Sequence, residues 1–143
     1  MITVRHLLDR KGREVYSIGP EDPVLEAIQM MADRHVGALL VMGNNDELLG
    51  ILSERDYARK VILLGRSSDE TPAWQIMSSP VHTVGPESSL EDCMRLVTEK
   101  RIRHLPVVEQ GHVIGVVSIG DLVRAVIEDQ QQTIEQLESY IHR

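Results

Sequence analysis

Apolar positions recur along the chain at the spacing of a helix face, and the same face appears twice. Val24, Ala27, Ile28 and Met31 stand at i, i+3, i+4 and i+7, and Leu90, Cys93, Met94 and Val97 repeat that spacing 66 residues later. The segment ahead of each helix repeats too, Ser17-Ile18-Gly19-Pro20-Glu21 returning as Thr83-Val84-Gly85-Pro86-Glu87. Pro23, and Ser88 or Ser89, supply helix-initiation chemistry. Apolar runs follow at Ala38–Met42 and His104–Val108, each reading as a buried strand. Turn residues Gly43-Asn44-Asn45-Asp46 and Gln110-Gly111 then lead into Leu48–Leu52 and Val113–Val117, which predicts two hairpins.

The hairpin loops differ by one residue, so register resumes at an offset of 65. Gly50-Ile51-Leu52-Ser53-Glu54-Arg55-Asp56 matches Gly115-Val116-Val117-Ser118-Ile119-Gly120-Asp121, and Arg59 matches Arg124. A second helix follows in each case. Each repeat is therefore β-α-β-β-α, preceded by a short helical lead-in at Val4–Leu8 or Ala73–Met77, with Trp74 expected to anchor the second lead-in in the core. The chain divides into a first repeat with its lead-in (1–64), a polar linker (65–72), a second repeat with its lead-in (73–130) and a C-terminal helical extension (131–143). One repeat alone exposes too much aliphatic surface, so the fold expected is α+β, with two repeats packed about a pseudo-twofold axis.

Composition narrows the function. Aromatic residues make up 3% of the chain and Phe is absent, so the core is aliphatic and there are no platforms for stacking bases. A net charge of −7 is a poor match to a phosphate backbone, and no nucleic-acid partner is expected. No apolar run is long enough to span a membrane and the first residues resemble neither a secretory signal nor a transit peptide, so the expected location is cytoplasmic. Cys93 is the single cysteine; it aligns with Ala27 on a buried helix face and reads as core. His6, His35, His112 and His142 stand apart from any metal-ligand spacing, and no metal site is expected. Met30, Met31, Met77 and Met94 read as packing, and the basic run Lys100–His104 as a solvated helix end.

The chemistry lies in Ser53-x-x-Asp56 and Ser118-x-x-Asp121, each at the start of a helix. A carboxylate there can accept from both hydroxyls of a ribose, and a Ser hydroxyl beside the first-turn N–H groups can hold a phosphate. The same spacing is a capping box, and spacing alone does not separate the two readings. No Walker-type phosphate loop is present, and no nucleophile, base and orienting group are assembled.

The ordered set Val36-Gly37-Ala38-Leu39 or Ile102-Arg103-His104-Leu105-Pro106-Val107-Val108, a hairpin, and a glycine-led G-h-h-S-x-x-D occurs twice over nearly the whole chain. In this the chain resembles a tandem pair of cystathionine β-synthase (CBS) domains, a Bateman module, of the stand-alone two-repeat kind. The resemblance implies a regulatory module, not an enzyme, that binds AMP, ADP or ATP, or else S-adenosylmethionine or NAD(H), in clefts between the repeats, with no catalytic cofactor. It implies one site of Ser53, Asp56, Val81, His82, Arg103, His104 and Pro106, and a second of Val15, Tyr16, Gly37, Ala38, Leu40, Ser118 and Asp121. Arg103 offers the first site a fixed charge and His104 a titratable one, so phosphorylated ligands are expected to bind more tightly there. Gly37 and Ala38 offer neither, unless Arg124 or a dimer partner compensates.

Beyond Asp121 the apolar residues Val123, Ile127, Ile134, Leu137 and Ile141 continue in heptad spacing, interrupted by Gln130–Gln132. This predicts a homodimer held in part by the last helix, signalling to an unidentified regulated partner. The competing expectation is a dimerisation or interaction scaffold with vestigial clefts.

Overall fold

In the computed structural model, which describes residues 1–141, the chain forms two compact units: Glu14–His82, and Met1–Arg13 joined with the residues from Thr83 onward. His142 lies outside the described residues.

The first unit holds a three-stranded sheet in the order β1-β2-β3, formed by β1 (Ser17–Ile18), β2 (Ala38–Met42) and β3 (Leu48–Ser53). β1 runs parallel to β2 and β3 antiparallel, with Ala38 opposite Ser53 and a register shift at Val41/Met42. Helix α2 (Val24–Arg34) lays Val24, Ala27 and Met31 on this sheet against Ile18, Leu39, Val41 and Leu52. α2 starts at Pro23, which offers no capping side chain. Its first N–H groups instead donate to linker carbonyls, Val24 to Thr71 (2.8 Å) and Leu25 to Ser68 (2.9 Å). The polar linker is thus built into the fold. After β3 comes α3 (Glu54–Tyr57), which continues as a π-helical turn through Ala58–Ile62.

Helix α1 (Val4–Lys11) precedes the first repeat in the chain but packs in the other unit. Val4, Leu7 and Leu8 are buried there with Leu90, Cys93, Val97, Leu105 and Val117, the residues that need an apolar cover. Backbone bonds fix it, Val4 N–H to the Ser88 carbonyl (2.9 Å) and Arg5 N–H to that of Pro86 (2.8 Å). The lead-in of the second repeat likewise joins the first unit, where Ala73 and Ile76 are fully buried. It is one 3₁₀ turn, Ala73–Gln75, shorter than the sequence predicts. Trp74 is 47% exposed rather than core, because the turn spends its two inward positions on Ala73 and Ile76.

The second unit repeats the pattern with α4 (Leu90–Lys100), β4 (His104–Glu109), β5 (His112–Ser118) and α5 (Ile119–Ile141). Its first strand shrinks to a parallel bridge, Val84 beside Val107. Ser89 caps α4, its hydroxyl accepting from Asp92 N–H at 3.0 Å. The β4–β5 turn places Gln110 at φ 51° and Gly111 at φ 79°, the paired positive values that match strand twist in a two-residue hairpin. Both α2 and α4 end on a left-handed non-glycine residue, His35 at φ 56° and Arg101 at φ 54°. The repeat seen in sequence therefore extends to the C-terminal caps of these helices.

Candidate functional site

Both Ser-x-x-Asp motifs sit where a hairpin's second strand turns into a helix. In the first unit, Asp56 N–H donates to Ser53 Oγ (3.1 Å), and Asp56 Oδ2 accepts from Ser53 N–H (3.0 Å) and from the Ser53 hydroxyl (3.0 Å). The capping box predicted as one reading is thus formed. The other carboxylate oxygen, Oδ1, accepts from the Ser78 hydroxyl at 3.3 Å and pairs with Lys60 Nζ at 3.3 Å. Lys60 also donates to the Ile76 carbonyl (3.0 Å). Both oxygens of Asp56 have partners.

In the second unit, Asp121 N–H donates to Ser118 Oγ (3.2 Å) and Ser118 N–H donates to Asp121 Oδ2 (2.8 Å). The same oxygen accepts from Lys11 Nζ at 2.6 Å, and Lys11 also donates to the Val116 carbonyl at 2.7 Å. Arg124 Nη1 lies 3.6 Å from Oδ1, one turn along α5. Burial pushes the Asp121 carboxyl toward its neutral form, but the Lys11 and Ser118 hydrogen bonds and the Lys11 charge outweigh it, leaving the carboxyl below its ordinary range.

The remaining predicted residues divide between the units. Ser53, Asp56, Val81 and His82 share the first unit with Val15, Tyr16, Gly37, Ala38 and Leu40. Ala38 is the cross-strand partner of Ser53, the Gly37 carbonyl accepts from Glu54 N–H (3.0 Å), and that of Tyr16 from Leu40 N–H (3.1 Å). Leu40 is buried, Val81 half-buried and His82 exposed. The Tyr16 ring carries the Arg34 guanidinium 5.3 Å from its centroid.

Arg103, His104 and Pro106 share the second unit with Ser118 and Asp121. His104 is the cross-strand partner of Ser118, and the Arg103 carbonyl accepts from Ile119 N–H at 2.8 Å. Pro106 is buried. Burial, then the charge of Lys11, then that of Arg103 lower the His104 imidazole below its ordinary value, against the opposing pull of Asp121. The shift favours the neutral form of this titratable ring. A further cation beside Asp121 comes from Lys11. Sequence reasoning missed Lys11 because it lies outside the repeated motif and reaches Asp121 only through the packing of α1. Lys60, four residues after Asp56, was legible as an i, i+4 pair.

Among the described residues no group of three or more His, Cys, Asp and Glu side chains is placed to hold a metal, and no helix is long and apolar enough to cross a membrane.

Comparison with known proteins places this geometry in context. The CBS-domain family model matches residues 4–62 and 73–128. The mitochondrial CBS domain-containing protein CBSX3 of Arabidopsis thaliana is 43% identical over 125 residues, 85% of this chain, which spans 61% of that protein's length. A solved CBS domain designated NE2398 is 50% identical with a TM-score of 0.84, covering 88% of this chain and 98% of its own. A solved CBS-domain protein of Burkholderia ambifaria MC40-6, described in connection with signal transduction, is 48% identical with a TM-score of 0.86, covering 90% and 96%.

Proposed function

The chain belongs to the CBS-domain family, and from that premise we propose that it is a regulatory module, not a catalyst, that binds an adenosine-containing ligand. AMP, ADP and ATP are the ligands that the family resemblance puts first, ahead of S-adenosylmethionine or NAD(H). The carrying observation is that each repeat presents an ionisable carboxylate, Asp56 or Asp121, fixed by its own Ser at the strand-to-helix junction. A carboxylate held in place can accept from a ribose diol without first being ordered. The cap and the binding site are then one device.

The association with signal transduction belongs to the Burkholderia protein; for this chain it supports the regulatory reading. By linkage, a partner that distinguishes ligated from unligated module must change ligand affinity by the same factor. Calorimetry with AMP, ADP, ATP, NADH and S-adenosylmethionine tests the proposal: saturable heat that falls when Asp121 or Asp56 is changed to Ala supports it, and no heat with any of them overturns it.

A second reading, a self-associating scaffold, draws on α5. Every residue from Ile127 to Ile141 is exposed, and within that span Ile127, Ile134, Leu137 and Ile141 keep the heptad spacing. A helical segment of this length is marginal in water without a packing surface. We assign the stripe to a second copy of the chain, so that the regulatory module acts as a homodimer.

A further inference from the structure

We propose that Lys11 is the phosphate-recognising residue of the Asp121 motif, so that this motif selects phosphorylated over unphosphorylated adenosine ligands. The inference rests on the nucleotide reading above and adds the residue that sets its specificity.

Three observations carry it. Lys11 is held in place: its helix is pinned by buried Leu8, by the Arg10–Glu128 ion pair, and by Arg5, which bridges Glu87 and Glu109 at 2.9 Å each. Its ammonium has three protons, of which two are directed at Asp121 Oδ2 and the Val116 carbonyl; the third has no protein acceptor among the described residues. Two cations, Lys11 and Arg124, lie within 4 Å of one carboxylate, and the charge of a third, Arg103, reaches neighbouring His104. In a chain of net charge −7, that local excess of positive charge favours an anionic ligand.

The arrangement also leaves the carboxylate usable. Lys11 and Ser118 N–H both occupy Oδ2, while among the described residues Oδ1 faces only the guanidinium at 3.6 Å. A diol can bond Oδ1 with the ammonium still in place, and a phosphate can take the third ammonium proton. The Asp56 motif differs at the carboxylate, since its Oδ1 already receives Ser78 and Lys60.

The test follows the His104 imidazole by NMR, because this residue pairs across the strand from Ser118 and its ring feels the charges of Lys11 and Asp121; each titration is repeated in an Asp56→Ala background, which separates the two motifs. Wild type, Lys11→Met and Lys11→Arg are titrated with adenosine, AMP and inorganic pyrophosphate, after thermal melts confirm that each is folded. The expected result is that Lys11→Met weakens AMP about tenfold or more, the scale of a lost charge-assisted hydrogen bond, and shifts adenosine less than about twofold. Lys11→Arg should keep most of the AMP affinity. Equal losses for AMP and adenosine in Lys11→Met would reduce Lys11 to a positioning group for Asp121, and unchanged AMP affinity would remove it from the site; either outcome overturns the inference. If wild type binds neither nucleoside nor nucleotide but pyrophosphate shifts His104 in wild type and not in Lys11→Met, the nucleotide reading fails while the anion contact stands. If pyrophosphate also has no effect, both fail.

Discussion

Gly115 lies against Leu8: a Cβ built at position 115 would stand 2.7 Å from Leu8 Cδ2 and 3.0 Å from Cδ1. Leu8 is fully buried and has nowhere to retreat. In the other unit Gly50 stands in the same relation to Met77, whose Sδ would be 2.5 Å from the added carbon. The glycine that opens each G-h-h-S-x-x-D motif is therefore the seat for a lead-in segment. Gly115→Ala should destabilise the protein by about 1–3 kcal/mol, the range of an over-packed core, with Gly50→Ala at the lower end because a methionine side chain can bend away. Urea midpoints of the two variants check this; a neutral Gly115→Ala would mean that α1 is free to shift.

The repeat, the strand and helix order, and the buried face shared by Ala27 and Cys93 were legible because each is written in local period and turn chemistry. The partner of α1 was not, because Val4, Leu7 and Leu8 declare only that one face is apolar, and either repeat could have covered it. Trp74 misled for a related reason: a large apolar residue beside a small one suggests an anchor, yet the turn buried Ala73 and left the indole outside. Ser53 and Asp56 were read correctly as a pair, while the cation on Asp121 came from 110 residues away. Such charges are set by tertiary packing, and no spacing rule reaches them.

The heptad stripe on α5 gives an outcome in solution. Leu137 is 58% and Ile134 48% exposed, so neither supports its own module's core. Ile134→Glu or Leu137→Glu should leave the melting temperature of the module nearly unchanged at low protein concentration. Each should weaken self-association by about tenfold or more, since two charges would enter one apolar seam. Sedimentation at micromolar concentration distinguishes dimer from monomer. A wild type that sediments as a monomer would remove the second copy from the stripe.

Cys93 is fully buried, and burial with the nearby charge of Asp92 raises its thiol to about 11. At pH 7 roughly one molecule in ten thousand then carries the reactive thiolate. Thiol reagents should leave the native protein unlabelled over hours and modify it at once in denaturant. Cys93→Ala, which copies Ala27 at the matching position, should cost only about 1 kcal/mol in stability. Rapid labelling of the native protein would show that α4 opens readily.

His104 makes a pH prediction with a definite sign. Burial first, then the charges of Lys11 and Arg103, disfavour the imidazolium, and together they outweigh Asp121, which favours it. The folded-state value is therefore below the unfolded one. At pH 8 the ring is neutral in both states and contributes nothing to the pH dependence. As pH falls through about 6.5 the unfolded chain takes up a proton that the folded chain refuses, so stability declines until the folded value is reached. Asp121 behaves separately: its lowered carboxyl adds stability at neutral pH that is lost only as pH falls through the carboxylate range. Urea midpoints between pH 8 and pH 5 should fall for wild type, and the fall should shrink in His104→Gln. The same comparison in Lys11→Met should show the His104 value moving back up toward the ordinary range, because one of the charges opposing the imidazolium has gone. An unchanged value would mean that burial and Arg103 set the shift without Lys11.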